Sequence, residues 1–241
     1  SPSTVEHILR RRGGKLHAYD SIDPAKTALI VIDMQNVWLQ EGMAAYSPYC
    51  AGAAPATNKL CKAMRAAGSK VYWVRAIYGD DAPKTWSAYM EYLSPADVER
   101  MLDGLTDGRP GAEIWDGMDV QPEDEITTKT RFSAFIRGSS DLEDQLRAAG
   151  IDTLVMTGIA TDVCVESTTR DAHMLNFRTM VASDATATRS DEAHNASLSA
   201  MFNHFADVFT SDEIIELLRT FSANFLEIEF WLCRSDGHPE Y

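Results

Sequence analysis

Thr27-Ala28-Leu29-Ile30-Val31-Ile32-Asp33 decides the fold. An unbroken apolar run rich in β-branched residues suits a strand buried on both faces. Such strands belong to parallel sheets, where crossover helices cover both sides. The same grammar repeats outward from this run. Residues 56–67 read as a helix with apolar Leu60, Met64 and Ala67, closed by Gly68. Residues 70–75 (KVYWVR) are the expected second strand, 125–129 (EITTK) the third, 152–157 the fourth and 178–182 the fifth, and Val208-Phe209 begins a short sixth. Helices are expected at 139–149 before Gly150, from about 162 to 175, at 190–205, and from Ser211 as N-cap to Leu218. The alternation predicts an α/β fold with an open, mostly parallel six-stranded sheet and helices on both faces.

Residues 1–25 read as an arm, basic at Arg10, Arg11, Arg12 and Lys15, that is either solvated or strapped on a neighbouring subunit. Residues 26–220 form the expected single domain, and 221–241 an apolar-then-polar tail. Its Phe225, Phe230 and Trp231 suit an interface. Residues 79–124 are irregular and aromatic, which points to a functional segment or short helices.

The chain has 241 residues, is 45% apolar and carries a net charge of −14. That composition excludes disordered and collagen-like classes. An acidic surface repels phosphate backbones, so nucleic acid is not an expected partner. Cys50, Cys61, Cys164 and Cys233 are too sparse for a disulfide framework, which points to a reducing, cytoplasmic setting. The first twenty residues lack the apolar stretch of a secretory signal, and no run approaches a membrane span. No metal-spaced Cys/His cluster, GxGxxG or GxxxxGK[ST] occurs, so neither a metal nor a nucleotide cofactor is expected.

Ligands of open parallel sheets bind at the carboxyl ends of the strands. Asp33 ends the first strand, Lys129 ends the third, and Cys164 follows the fourth across Gly158-Ile-Ala-Thr-Asp-Val-Cys164. In the first turn of a helix capped by Thr161 or Asp162, Cys164 would meet free backbone N–H groups that favour a thiolate and can hold an oxyanion. A free cysteine can equally be a small core residue. Asp33 is a structural turn carboxylate or a base for the thiol. Lys129 is an exposed edge lysine or the cation that holds that carboxylate, with Arg131 as the rival. A Cys–His pair is the other route to an active thiol. His173 is too far along the helix, and His204 stays open as a candidate beside His194.

These residues carry a resemblance. Ala28-Leu-Ile-Val-Ile-Asp33-Met-Gln-Asn36, Lys129-Thr-Arg-Phe-Ser-Ala-Phe135 and Thr157-Gly-Ile-Ala-Thr-Asp-Val-Cys164-Val-Glu-Ser-Thr-Thr-Arg-Asp171 resemble the isochorismatase-like cysteine hydrolases over roughly residues 25–220. The resemblance implies a Rossmann-like three-layer fold and a catalytic triad of Asp33, Lys129 and Cys164. It also implies a cis peptide at Ile159–Ala160 and an oxyanion hole from the N–H groups of Ala160 and Cys164. A homo-oligomer, dimer or tetramer, is a further expectation that the resemblance implies, and the aromatic tail fits it. Within the superfamily the third block is most similar to ureidoacrylate amidohydrolases and to biuret and triuret hydrolases. The Asp-x-His metal site of nicotinamidases is missing, because no histidine lies between His17 and His173. Isochorismatases proper cleave a vinyl ether and do not need the thiol. The residue that carries an amide in biuret-type enzymes falls near Met201–Ala206, where Asn203 or His204 could substitute.

The implied activity is a cysteine amidohydrolase that cleaves a C–N bond of a small ureido or carbamoyl compound without a cofactor. N-carbamoyl amino acids, maleamate and nicotinamide are alternative substrates. A thiol redox enzyme or an idle scaffold are rival classes. Candidate pocket walls are Trp38, Trp86, Tyr89 and Phe135, and candidate polar anchors are Asn36, Gln35 and Arg131. Arg75, Lys84 and Arg131 are the available cations for an anionic substrate.

Overall fold

A computed structural model describes residues 2–221. The expected tail, with Phe225, Phe230, Trp231 and Cys233, lies outside the described residues. Six strands form one all-parallel open sheet in the order β3-β2-β1-β4-β5-β6. They are β1 (Thr27–Ile32), β2 (Lys70–Ala76), β3 (Glu125–Lys129), β4 (Thr153–Ile159), β5 (Arg178–Ala187) and β6 (Asp207–Phe209). The longer helices are α1 (Pro2–Arg11), α2 (Ala54–Ala66), α3 (Pro95–Leu105), α4 (Leu142–Ala148), α5 (Glu166–Met174), α6 (Asp191–His204) and α7 (211–221).

Side-chain alternation along β1 splits the interior into two layers. Leu29 and Val31 pack with Leu60, Cys61 and Met64 of α2 and Ile214 and Leu218 of α7. Ala28, Ile30 and Ile32 pack with Leu142 and Leu146 of α4, Ala172 of α5 and Met201 of α6. Every residue of β1 is buried, as its unbroken apolar run requires. A third, smaller cluster of Val37, Ala76, Tyr78, Ala82, Met90 and Leu105 sits beyond the strand ends. It is built by the irregular segment, which folds into short helices and α3. No described helix is long and apolar enough to cross a membrane.

The chain winds from β1 outward to β3, then returns to the other side of β1 with β4. The crevice between the ends of β1 and β4 is therefore the switch point where such sheets bind ligands. Gly158 allows the two strands to meet there. Its φ is +99°, and a Cβ would lie 2.0 Å from the Ile32 carbonyl oxygen.

Several boundaries differ from the expectation. β5 runs on to Ala187 because Thr186 and Ala187 pair with Gly158 and Ile159 after a register shift in β4. α4 starts at Leu142, since the hydroxyls of Ser139 and Ser140 bind the carbonyls of Ser133 and Ala134 instead of entering a helix. The cap of α7 is Thr210, not Ser211. Thr210 Oγ1 accepts from Glu213 N at 3.3 Å while its own N–H donates to Glu213 Oε2 at 2.7 Å, a capping box. Ser211 is occupied by Asp184, to which its N–H and hydroxyl both donate.

The arm packs on its own chain. Ile8 is buried, and the buried Asp207 carboxylate accepts from Arg12 and from the N–H groups of Ala18 (2.6 Å) and Tyr19 (2.9 Å). The basic run thus serves an internal ion pair, which removes the cost of a lone buried carboxylate on β6.

Gly158→Ala combines a positive φ with a backbone collision, so it should cost about 4 kcal/mol or more, or prevent folding. Urea denaturation beside wild type measures this.

Candidate active site

Three side chains from three strand ends converge at the switch point. Asp33 follows β1 with φ +55°, a left-handed turn that a short polar side chain tolerates. Its N–H donates to the Val74 carbonyl, which fixes the turn against β2. Lys129 closes β3 and reaches back across β2. Cys164 lies in the turn Thr161–Val165 that leads into α5. Asp33 and Lys129 are 1% and 0% exposed, and Cys164 is 7% exposed.

The Lys129 ammonium has three N–H bonds and meets three acceptors. Nζ is 2.9 Å from Asp33 Oδ2, 3.4 Å from Cys164 Sγ and 3.1 Å from the Arg131 carbonyl. Burial alone would lower the Lys129 pKa, but the Asp33 carboxylate and the Cys164 sulfur outweigh it and the value is raised. Lys129 therefore stays an ammonium and cannot act as the base.

Asp33 behaves differently. Burial raises its pKa, and Lys129 only partly counters this. Its Oδ1 is buried without an aligned hydrogen-bond donor among the described residues. A free acceptor of raised basicity beside a thiol is fit to take a proton. Burial, then the neighbouring Asp33 charge, pushes the Cys164 thiol well above its ordinary value. This outweighs the helix-dipole effect that pointed to a resting thiolate. The protonated thiol is favoured instead.

The turn holding Cys164 also departs from the expected cap. It is a single π-type turn whose N-cap is Ala160, with no side-chain cap from Thr161 or Asp162. Thr161 Oγ1 contacts Thr186 Oγ1 at 3.0 Å and His194 Nδ1 at 2.9 Å instead. The Ile159–Ala160 peptide bond is cis. His204 lies away from the cavity, against Arg11 at 2.9 Å.

The triad opens into a cavity of about 810 Å³ lined by Asp33, Cys164, Ala160, Trp38, Tyr89 and Phe132, among others. No group of three or more metal-ligating side chains occurs among the described residues.

A family model described as Isochorismatase domain matches residues 27–213. The chain belongs to the isochorismatase family. A ureidoacrylate amidohydrolase from Caulobacter vibrioides is 37% identical over 180 residues, which cover 68% of this chain and 78% of the relative. A cysteine hydrolase structure from Pseudomonas syringae pv. phaseolicola superposes with TM-score 0.74 at 28% identity, covering 83% of this chain and 95% of the other. An N-carbamoylsarcosine amidase structure from Thermoplasma acidophilum superposes with TM-score 0.62 at 28% identity, covering 78% and 97%. Membership makes the chain a hydrolase, and amidohydrolases stand among its relatives.

In this isochorismatase-family site the other candidate residues divide. Trp38 and Tyr89 line the cavity; Trp86, Phe135, Asn36, Gln35 and Arg131 do not. Trp86 stands behind the wall as the hub of Tyr78, Tyr89 and Phe132, at centroid distances of 5.6, 4.5 and 4.8 Å. Arg131 stacks on Trp86 at 5.1 Å and donates to the carbonyls of Thr130 and Thr85, pinning the cap to the sheet. Phe135 packs on Phe177 in the second core layer. Gln35 is buried, donating to the carbonyls of Ala76 and Ala112 and accepting from Ala76 N. Asn36 donates to the Pro110 carbonyl. Arg75 is taken by Asp107 and Glu113, and Lys84 does not reach the cavity.

The cavity also holds residues the sequence reading did not select: Tyr78, Phe132, Arg100, Asp162 and Arg189. Phe132 had a signal, since it neighbours Arg131 in the Lys129 block. Arg189 had none once β5 was expected to stop at 182. With β5 ending at Ala187, Arg189 falls on the ligand-binding edge of the sheet.

With Asp33 as the base, kcat/KM should fall as pH drops through a value above the ordinary 3.8. Lys129→Met removes the charge that holds Asp33 down. The acid limb should move to higher pH, and kcat/KM should fall roughly 100-fold. Steady-state pH profiles of both proteins decide this.

Proposed function

We propose that the chain is a cysteine-dependent amidohydrolase that cleaves a C–N bond of a small ureido or carbamoyl compound. The observation that carries this is the buried Lys129 ammonium held at once by Asp33 and Cys164, which line an open cavity.

Asp33 takes the S–H proton, and the thiolate attacks the carbonyl carbon. The oxyanion rests on the N–H groups of Ala160 and Cys164. The C–N bond breaks as Asp33 returns its proton to the leaving nitrogen, which departs as ammonia or an amine. Water, deprotonated by Asp33, then attacks the thioester-like carbon, the C–S bond breaks and the thiol is re-formed. A ureido carbonyl is stabilised by two nitrogens, so charge stabilisation in the transition state carries much of the acceleration. A carbamate product loses carbon dioxide unaided.

The cavity favours an acidic ureido compound over a neutral one. Arg189 lines it, is exposed and has no ion pair among the described residues. Arg100, the other arginine in the lining, is paired with Asp97. A guanidinium with a vacant face matches a carboxylate in two parallel hydrogen bonds. The names of two relatives, a ureidoacrylate amidohydrolase and an N-carbamoylsarcosine amidase, support the same chemical class.

Ammonia release from ureidoacrylate, N-carbamoyl amino acids, biuret, triuret, maleamate and nicotinamide tests the reading. Turnover is expected on the acidic ureido compounds, with loss of about 1,000-fold or more in Cys164→Ala. Activity that survives Cys164→Ala, or none on any of these compounds, would refute the proposal. Arg189→Gln should raise KM for the acids about 30-fold and leave biuret turnover within about threefold.

A further inference from the structure

The turn that carries Cys164 is fastened to α6 at two points spaced three residues apart, on one helical face. Ser197 Oγ lies 3.1 Å from the Thr161 carbonyl oxygen and 2.5 Å from Glu166 Oε2, so one hydrogen is shared between the turn and the start of α5. His194 Nδ1 lies 2.9 Å from Thr161 Oγ1, and His194 is half-buried. From Thr161 the chain continues through Thr186 Oγ1 at 3.0 Å to the Gly158 carbonyl, to which Thr186 donates at 2.8 Å. One row of hydrogen bonds therefore ties β5 and α6 to both ends of the loop between β4 and the nucleophile.

Counting hydrogens shows how that row is filled. A neutral imidazole and two hydroxyls bring three hydrogens to three contacts: His194 to Thr161, Thr161 to Thr186, and Thr186 to Gly158 O. Thr186 gives its hydrogen to Gly158, so Thr161 gives its own to Thr186 and accepts from His194. The ring therefore carries its hydrogen on Nδ1, and the neutral imidazole fills every contact.

We propose that His194 is a positioning residue for the nucleophile: by donating to Thr161 it sets the turn that carries Cys164. The proposal rests on Cys164 being the nucleophile. Burial, the largest effect, holds the ring below its ordinary 6.5, against the pull of Asp191 on its own helix and Asp162 on the nucleophile turn. Glu166 of α5, packed on the same turn, is occupied by Arg170 and Ser197. The ring therefore favours its neutral form, which already fills the row.

The test uses the full chain with His194→Ala and His194→Asn. Asparagine keeps a short polar group for Thr161 but cannot titrate. His194→Ala should lower kcat about tenfold or more with KM within about threefold, and His194→Asn should restore most of the loss. A second readout needs no substrate: the rate at which iodoacetamide alkylates Cys164, followed by peptide mass spectrometry with buried Cys61 as internal reference. It should change about fivefold in His194→Ala and stay near wild type in His194→Asn. An unchanged kcat and alkylation rate in His194→Ala, or a loss that His194→Asn does not restore, overturns the proposal. If Cys164→Ala keeps activity, the nucleophile assignment fails, and the alkylation rates still report whether His194 sets the turn.

Discussion

A buried ammonium held by a buried carboxylate organises this molecule. Taking either charge out of water alone costs several kcal/mol, and the pair recovers that cost only through close, saturated geometry. Lys129 achieves it by directing its three N–H bonds at Asp33, Cys164 and the Arg131 carbonyl. The last contact matters beyond the charge balance. Arg131 also reaches the Thr85 carbonyl and stacks on Trp86, so the residue that completes the lysine's shell ties down the aromatic cap over the cavity. Catalytic floor and pocket wall share one support.

The sheet explains why these groups can meet. Asp33, Lys129 and Cys164 are separated by long stretches of sequence, but parallel strands place all their carboxyl ends on one edge. Gly158 brings β4 against β1 closely enough to set the Cys164 turn beside Asp33.

Much of this was legible in the residues. The apolar run 27–32 and its repeats specify buried parallel strands, because no other element suits such a pattern. The motif blocks also led to the family. What escaped was non-local. The segment 183–187 (SDATA) has no apolar signature, and it is a strand only because Gly158 and Ile159 pair with Thr186 and Ala187. Arg189 was lost with it. Gln35 and Asn36 looked like ligand anchors as polar residues beside Asp33, yet their amides serve the backbone of 110–114, a partner the sequence does not reveal. The resting state of Cys164 was misjudged for the same reason. A helix start favours a thiolate, but a full desolvation and an adjacent carboxylate outweigh a partial dipole.

The protonation of that sulfur is the most direct measure of the account. Thiolate absorbance near the far-ultraviolet edge, recorded as the difference between wild type and Cys164→Ala through a pH titration, isolates Cys164 from the other cysteines. The account predicts no Cys164 thiolate across the range in which an ordinary thiol, at about 8.5, ionises. A thiolate step below neutral pH in the free enzyme would contradict it, because Asp33 would then have no proton to take.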